Sequence, residues 1–304
     1  MGEILSWITP QRPYTRRVPK AAALKLAVWS LIAYLAIWIL LVNTRIGQQL
    51  DDRALIARGI LPKDVVRSID NFLAFSTPFF AASFCVILLV LGWRTHRKRL
   101  GIAMTVSFGV TEVVGETLKY LEERRVLDPS LYDELGNKTF NSFPSGTTAL
   151  AAGFVLGLIA LSTQQFLKLS FRLGLLFIQL VAMFVVLAGW HRPSDALGGI
   201  ALAVFFGALG LWAGSSSLAS ITNSDWRNWS RHHRVDVPWK SATALGAGAI
   251  LTVFVLGRIE ALPQGIYLLS LSIFMLLIPL FAALMVSKFT RLAGLGSPAT
   301  RPNA

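Results

Sequence analysis

Long apolar runs separated by short polar segments dominate this chain of 304 residues. A helix needs roughly 20 apolar residues to cross a bilayer core. Stretches that approach this length lie near residues 22–43, 71–93, 101–119, 145–163, 173–190, 194–215, 242–257 and 266–287. The pattern predicts an all-α fold, a polytopic membrane helical bundle with a six-span core and two additional C-terminal spans.

The composition supports a membrane protein, because 54% of the residues are hydrophobic and only 15% are charged. The single cysteine, Cys85, excludes an intrachain disulfide and a cysteine-rich metal site. Four basic residues in the first twenty precede an apolar run that is too long for a signal peptide. We therefore expect the first apolar run to be an uncleaved span.

The net charge of +13 is distributed unevenly between the two sides of the predicted bundle. One side, which includes the N-terminus, carries 18 Lys and Arg against 3 acidic residues, whereas the other carries 11 of each. The positive-inside rule places the basic side in the cytoplasm. The charge therefore indicates a plasma-membrane protein with both termini inside, and it requires no nucleic-acid partner.

This topology divides the chain into five parts. They are a cytoplasmic N-terminal segment (1–21), the six-span core (22–216), a basic cytoplasmic loop (217–241), two additional transmembrane helices (242–287) and a cytoplasmic tail (288–304). The basic loop contains Trp226, Trp229 and Trp239. It is either an interfacial anchor or a site for anionic membrane lipids. The sequence identifies no protein partner.

Polar residues from distant segments are expected to meet at the outer face. The third span ends in ETLKYLEERR, the fourth begins at PSGTT, and the fifth and sixth are joined by AGWHRPSD. This arrangement brings together Lys119, Arg124, Arg125, Ser145, Gly146, His191 and Asp195. The convergence is the strongest functional signal in the sequence.

Two of these segments have a recognisable chemistry. Ser145 follows Pro144 and is placed to cap a helix, whose free N–H groups bind anions readily. His191 and Asp195 are four residues apart, so the carboxylate can orient one imidazole nitrogen and leave the other to react. Alone, Ser145 and Gly146 indicate a plain helix cap, whereas His191 and Asp195 are equally compatible with a capping aspartate beside an interfacial histidine.

Two carboxyl groups, Glu112 and Glu116, lie inside the third span and share one helix face. Such residues are costly in a membrane and usually face a partner or a cavity. One interpretation is a structural ion pair between Glu116 and Lys119. The other is a supporting role beneath the site, shared with Tyr120, or a place in an ion path.

Together, the segments resemble the phosphatidic acid phosphatase type 2 superfamily over roughly residues 70–215. Its three motifs are Lys-x6-Arg-Pro, Pro-Ser-Gly-His and Ser-Arg-x5-His-x3-Asp. The resemblance implies that His191 is the phosphoryl-accepting nucleophile and that Asp195 orients it. It also implies that Ser145, Gly146 and Lys119 hold the phosphate oxygens, and that no metal or other cofactor is needed.

Three positions depart from the family pattern. Val126 stands at the arginine of the first motif, with Arg124 and Arg125 just before it. Thr147 replaces the histidine that serves the family as general acid, and we place it among the phosphate-binding residues. Phe184 and Val185 replace the Ser-Arg pair, for which Arg192 or a spare arginine is a candidate substitute.

The loss of the second histidine leaves three alternatives. Glu122, Glu123 or Tyr120 donates the proton, the leaving group needs no proton, or no hydrolysis occurs. General acid catalysis typically contributes about 100- to 10,000-fold. A polyprenyl diphosphate releases a phosphate monoester, which leaves far more readily than an alkoxide. Thr147 therefore favours diphosphate substrates.

The resemblance implies a lipid phosphatase or phosphotransferase of the cell envelope. The substrate is a lipid-linked phosphate or diphosphate, and the reaction proceeds through a phosphohistidine at the extracytoplasmic face. One alternative is a non-catalytic relative that binds a lipid phosphate and assists envelope biogenesis. Another is a small transporter that uses Glu112 and Glu116, although the sequence contains no inverted repeat.

Overall fold

The structure is a computed structural model that describes residues 18, 20–57, 59, 61–121, 142–215, 238–256 and 265–293. Within these residues the regular structure is helical. The nine α-helices are α1 (Lys20–Ile37, continued by a π-helical turn, Trp38–Val42), α2 (Arg45–Ala57), α3 (Lys63–Arg94), α4 (Lys98–Leu121), α5 (Gly146–Leu161), α6 (Gln164–Leu187), α7 (Pro193–Gly214), α8 (Trp239–Leu256) and α9 (Gly265–Ala293). The predicted all-α membrane bundle is confirmed.

All eight apolar stretches of the sequence lie in helices. By length and composition, four segments are able to cross a membrane: Lys20–Val42, Phe166–Leu187, Pro193–Gly214 and Gly265–Ala293. Shorter apolar helices occupy Ala81–Arg94, Gly146–Leu161 and Trp239–Val255. The chain is therefore a multi-pass membrane protein, and a total of eight spans remains a prediction.

Helix α4 is less apolar than its neighbours because Glu112 and Glu116 interrupt its sequence. Two helix ends also differ from the predicted bounds. Helix α3 begins at Lys63, eight residues before the predicted span. Helix α9 continues through Ala293, beyond the predicted end of the last span at residue 287, and Phe289 and Thr290 are fully buried.

Helix α7 is the centre of the bundle and packs against α1, α4, α5 and α9. It is apolar on all sides, as expected for a helix surrounded by others. Its Ile200, Val204 and Leu211 are almost completely buried, as are Leu156 of α5 and Phe289 of α9. The outer helices instead expose large apolar side chains, as surfaces in contact with lipid do.

Helix α2 was not predicted, because only one side of it is apolar and its length is 13 residues. Thr44 caps it by accepting a hydrogen bond from the Gly47 N–H at 3.0 Å. The Gln48 side chain donates to the Val42 carbonyl at 2.8 Å, which ties the helix to the end of α1. Helix α2 packs against α9, so the first and last parts of the described chain are in contact.

Candidate active site

The turn between α6 and α7 presents His191 at one end of the bundle. Gly189 adopts a left-handed conformation (φ 74°) after α6, a conformation that glycine accepts without steric cost. The N–H groups of Trp190 and His191 then donate to the Val185 carbonyl at 2.9 and 3.1 Å. Pro193 occupies the first turn of α7, where its missing N–H costs nothing. We call residues 190–195 the α7 turn.

Asp195 is fully buried in the α7 turn and lies beside His191. Its Oδ2 is 3.5 Å from the His191 Nδ1, which is long for a hydrogen bond. The same oxygen accepts hydrogen bonds from the Ser142 hydroxyl at 2.5 Å and from the Arg192 N–H at 2.9 Å. These two donors fix the carboxylate, while the imidazole side chain keeps 11% of its surface exposed.

The beginning of α5, residues 144–148, forms a second turn beside the first, which we call the α5 turn. Ser145 is the N-cap, and its hydroxyl oxygen accepts from the Thr148 N–H at 3.3 Å. The Ser145 N–H donates to the Asp195 carbonyl at 2.9 Å. A Cβ at Gly199 would lie 2.5 Å from the Ser145 carbonyl oxygen, so this close approach requires glycine. Two helix N-termini thus lie side by side, and both favour a bound anion.

The end of α4 supplies charged side chains to the α5 turn. Lys119 Nζ pairs with Glu116 Oε1 at 2.6 Å, so the structural pair considered from the sequence is present. A Cβ at Gly146 would lie 2.9 Å from Glu116 Oε1, 3.5 Å from Lys119 Nζ and 3.6 Å from Glu112 Oε2. Glycine at position 146 therefore leaves room for these three side chains. Glu112 Oε1 is buried without a hydrogen-bond partner.

The remaining residues that the sequence analysis named as candidates differ in burial and in location. Arg192 is 4% exposed, and its Nε donates to Asp52 of α2. Thr147 is partly buried in the first turn of α5, whereas Tyr120 is 86% exposed. Arg124 and Arg125 lie outside the described residues, as do Glu122 and Glu123.

The positions of the missing Ser-Arg pair are filled by packed apolar side chains. Val185 is fully buried in the main core, and Phe184 lies edge-on to Phe72 with the ring centroids 6.1 Å apart. A cation is therefore absent from these two positions. The structure brings Lys119, Ser145, Gly146, His191 and Asp195 to one end of the bundle, as the resemblance requires.

Sequence reasoning missed Ser194 within the α7 turn and three polar residues that contact this turn: Ser142, Asp51 and Asp52. In the sequence, the two aspartates contribute only to the 11 acidic residues on the less basic side of the predicted bundle. The signal that would have found them is the one-sided apolar pattern of RIGQQLDDRALIA, which places both on a short helix. Their partners in α7 are more than 130 residues away, a pairing that no local pattern reveals.

The described residues contain no group of three or more His, Cys, Asp or Glu side chains placed to hold a metal ion. The charged groups near the two turns are instead one lysine, two glutamates, the His191–Asp195 pair, the Arg192–Asp52 pair and Asp51. The arrangement combines a partly exposed imidazole with two helix N-termini and an ammonium group. It is chemically suited to hold an anion and to attack it.

Comparison with known proteins gives the same family as the motifs. Residues 100–217 match the model of the PAP2 superfamily, which confirms the resemblance for this part of the chain. A crystal structure of the first transmembrane PAP2 type phosphatidylglycerolphosphate phosphatase from Bacillus subtilis has a TM-score of 0.47 and 22% sequence identity to this chain. The alignment covers 62% of this chain and 93% of that one. No curated protein gives a significant match.

Proposed function

We propose that this protein is a membrane phosphatase or phosphotransferase that acts on a lipid-linked phosphate or diphosphate. The observation that carries the proposal is the His191–Asp195 pair placed directly beside the N-terminus of α5, with Lys119 at the same turn. The family match over residues 100–217 supports the same chemistry. The charge asymmetry of the sequence supports the proposal that this end of the bundle lies at the extracytoplasmic face.

In the proposed reaction, His191 is the nucleophile. Nδ1 faces Asp195, so Nε2 attacks the phosphorus atom while the bond from phosphorus to the leaving oxygen breaks. The Asp195 carboxylate faces the protonated Nδ1 and stabilises the positive charge that develops on the ring, without taking its proton, as the aspartate of a catalytic triad does. Water then attacks the phosphohistidine and releases inorganic phosphate. A sugar or another hydroxyl acceptor in place of water makes the reaction a transfer.

Phosphate binding is assigned to the α5 turn. Lys119, the Ser145 hydroxyl and the free N–H groups near Gly146 and Thr147 surround the transferred group. Donors fixed in advance stabilise the charge that spreads over the phosphate oxygens in the transition state. Because Glu116 pairs with Lys119, a bound phosphate has to compete with the Glu116 carboxylate.

Thr147 determines the substrate preference in this proposal. Its hydroxyl is not acidic enough to protonate an alkoxide, so an alkyl monophosphate lacks the help that the family histidine provides. A polyprenyl diphosphate needs none, because its leaving group is a phosphate monoester anion. We therefore infer that the favoured substrates are diphosphate lipids of the cell envelope.

The test is phosphate release by the purified protein from a polyprenyl diphosphate and from phosphatidic acid, with His191→Ala in parallel. We expect release from the diphosphate to exceed release from phosphatidic acid at least tenfold, and we expect the variant to lose both activities. Equal rates on the two lipids would refute the leaving-group argument. Retention of activity in His191→Ala would refute the role of His191.

A second candidate is a non-catalytic protein that binds a lipid phosphate, and the Lys119–Glu116 pair together with Thr147 favours it. Such a protein releases no phosphate, binds lipid equally well with His191→Ala, and loses binding with Lys119→Met. The proposed enzyme also weakens its binding with Lys119→Met, so turnover is the measurement that separates the two.

A further inference from the structure

Helix α2 buries two adjacent carboxylates, Asp51 and Asp52, which are 0% and 7% exposed. Burying a charged group is costly unless hydrogen bonds and opposite charges compensate. Both residues lie outside the part of the chain that matches the family model. Their burial therefore requires an explanation that the family motifs do not provide.

Both carboxylates contact the α7 turn on the C-terminal side of His191. Asp51 Oδ1 accepts from the Ser194 N–H at 2.8 Å, and its Oδ2 accepts from the Ser194 hydroxyl at 2.5 Å. Asp52 accepts from Arg192 Nε. The residues on either side of Pro193 are thus attached to α2 by three hydrogen bonds, of which one is an ion pair.

Helix α2 is itself held firmly. Thr44 caps its first turn, Gln48 attaches it to the end of α1, and its buried side packs against α9. It therefore connects the α7 turn to two helices that lie outside the family match. Of the last two helices, α9 is therefore the one that supports this connection.

We propose that Asp51 and Asp52 are positioning residues that fix the His191 imidazole by holding Ser194 and Arg192. The proposal rests on the proposed function, in which His191 is the nucleophile. His191 Nδ1 has no hydrogen-bond partner, and Asp195 Oδ2 lies 3.5 Å from it. The direction of the ring therefore depends on the backbone of the turn. Arg192 belongs to this support rather than to the phosphate site, because its Nε faces Asp52.

A test that does not depend on activity measures how fast diethyl pyrocarbonate modifies His191 in the full-length protein in detergent. Peptide mass spectrometry monitors the modification. Asp51→Asn and Asp52→Asn should each raise the modification rate of His191 at least threefold. In the intact site the His191 side chain is only 11% exposed, and loosening the α7 turn increases this exposure. Asp64→Asn is the matched control, since Asp64 is an exposed acid on α3, and its rate should equal that of the wild type. His96, at the exposed turn between α3 and α4, is the internal standard.

Ser194→Ala keeps the test decisive if an aspartate variant fails to fold. It removes the hydroxyl that donates to Asp51 Oδ2 at 2.5 Å and lies 3.5 Å from Asp195 Oδ1, but it keeps the Ser194 N–H that donates to Asp51, so we expect a smaller rise in the same direction. An unchanged His191 rate in folded Asp51→Asn, Asp52→Asn and Ser194→Ala would overturn the proposal. A parallel rise at His96 would also overturn it, because that result indicates general loosening.

Turnover separates positioning from a purely structural role. A displacement of about 1 Å at a reacting group can cost about 100-fold, so we expect Asp51→Asn to lower kcat roughly 10- to 100-fold with KM within about twofold. Asp51→Asn combined with Ser194→Ala should lower kcat by less than the product of the two single effects, because both variants disturb the contact between the Ser194 hydroxyl and Asp51 Oδ2. A wild type without turnover refutes the proposed function and leaves the modification rates as the test of positioning. His191-dependent turnover that Asp51→Asn leaves unchanged refutes the positioning role.

Discussion

The two turns of the candidate site differ in how many of their polar groups have hydrogen-bond partners. In the α7 turn, Asp195 accepts hydrogen bonds from Ser142 and Arg192, and neighbouring residues are attached to Asp51 and Asp52 of α2. In the α5 turn and the adjacent end of α4, Glu112 Oε1 and Thr148 Oγ1 are buried without hydrogen-bond partners. Lys119 pairs with Glu116, whose side chain is 53% exposed.

The difference indicates which side of the proposed site, the one that carries the nucleophile or the one that binds phosphate, is held in place before the substrate binds. Buried polar groups are normally paired, and unpaired ones commonly mark a site where a ligand or catalytic role supplies the partner. In the α7 turn the unpaired buried atom is His191 Nδ1, the nitrogen that faces Asp195. In the proposed reaction, the turn that carries the nucleophile is therefore anchored by more hydrogen bonds from other segments than the turn assigned to phosphate binding. The departure at Thr147 falls on this second side.

The largest effect is expected from Asp195→Asn, which tests whether the α7 turn is the reactive one. The amide retains an oxygen for Ser142 or Arg192, but it cannot stabilise a positive imidazole or fix its tautomer. We expect kcat to fall about 100- to 10,000-fold, as in a triad that loses its carboxylate. Single-turnover measurements of phosphohistidine formation check this, with Asp64→Asn as the control. A greater loss in Ser145→Ala than in Asp195→Asn would reverse the assignment of the two turns.

Thr147→His sharpens the comparison by restoring an acid to the α5 turn. We expect turnover of phosphatidic acid to rise about 10- to 100-fold, a part of the usual contribution of a general acid. Turnover of a polyprenyl diphosphate should change less than about threefold, because its leaving group needs no proton. Thr147→Asn, a polar residue without an acidic proton, is the control. An equal rise on both lipids would show that Thr147 affects binding rather than proton transfer.

Most of the fold follows from the sequence because apolar length is a local property. All eight apolar stretches are helical, and the helices surround α7, which is apolar on every side. Helix α2 does not follow from the same reasoning. It is short and only one of its sides is apolar, so its position depends on contacts with α9 that form only in the folded chain.

The contacts of the candidate site also divide into local ones, which the sequence predicts, and long-range ones, which it does not. The proximity of His191 and Asp195 is a consequence of helical spacing, and the Glu116–Lys119 pair is another. The contacts from Asp51 to Ser194 and from Ser142 to Asp195 span 143 and 53 residues, respectively. Only the packing of the helices establishes them. The roles of these residues in catalysis therefore remain proposals that the variants test.

Glu116→Gln is expected to have a moderate effect, confined to binding. Removing the carboxylate frees Lys119 from its 2.6 Å pair and removes a negative charge beside Gly146. Because both side chains are partly exposed, solvent screening keeps the gain small, and we expect KM to fall about two- to fivefold with kcat unchanged. Initial rates over a range of lipid concentrations measure this, with Asp64→Asn as the charge-matched control. A fall in kcat instead would identify Glu116 as a proton donor.

The smallest effect is expected from Thr148→Val, which compares the two turns through stability alone. Thr148 Oγ1 is buried without a hydrogen-bond partner, so replacing the hydroxyl with a methyl group removes an uncompensated polar atom. We expect the free energy of unfolding to stay the same or to rise by less than about 1 kcal/mol. Ser142→Ala, which removes the donor to Asp195 in the other turn, should lower it by about 1–3 kcal/mol. Denaturant titration in detergent measures both. A loss of stability in Thr148→Val as large as that in Ser142→Ala would show that the α5 turn is as fully paired as the α7 turn, and the contrast between a fixed nucleophile and an open phosphate side would fail.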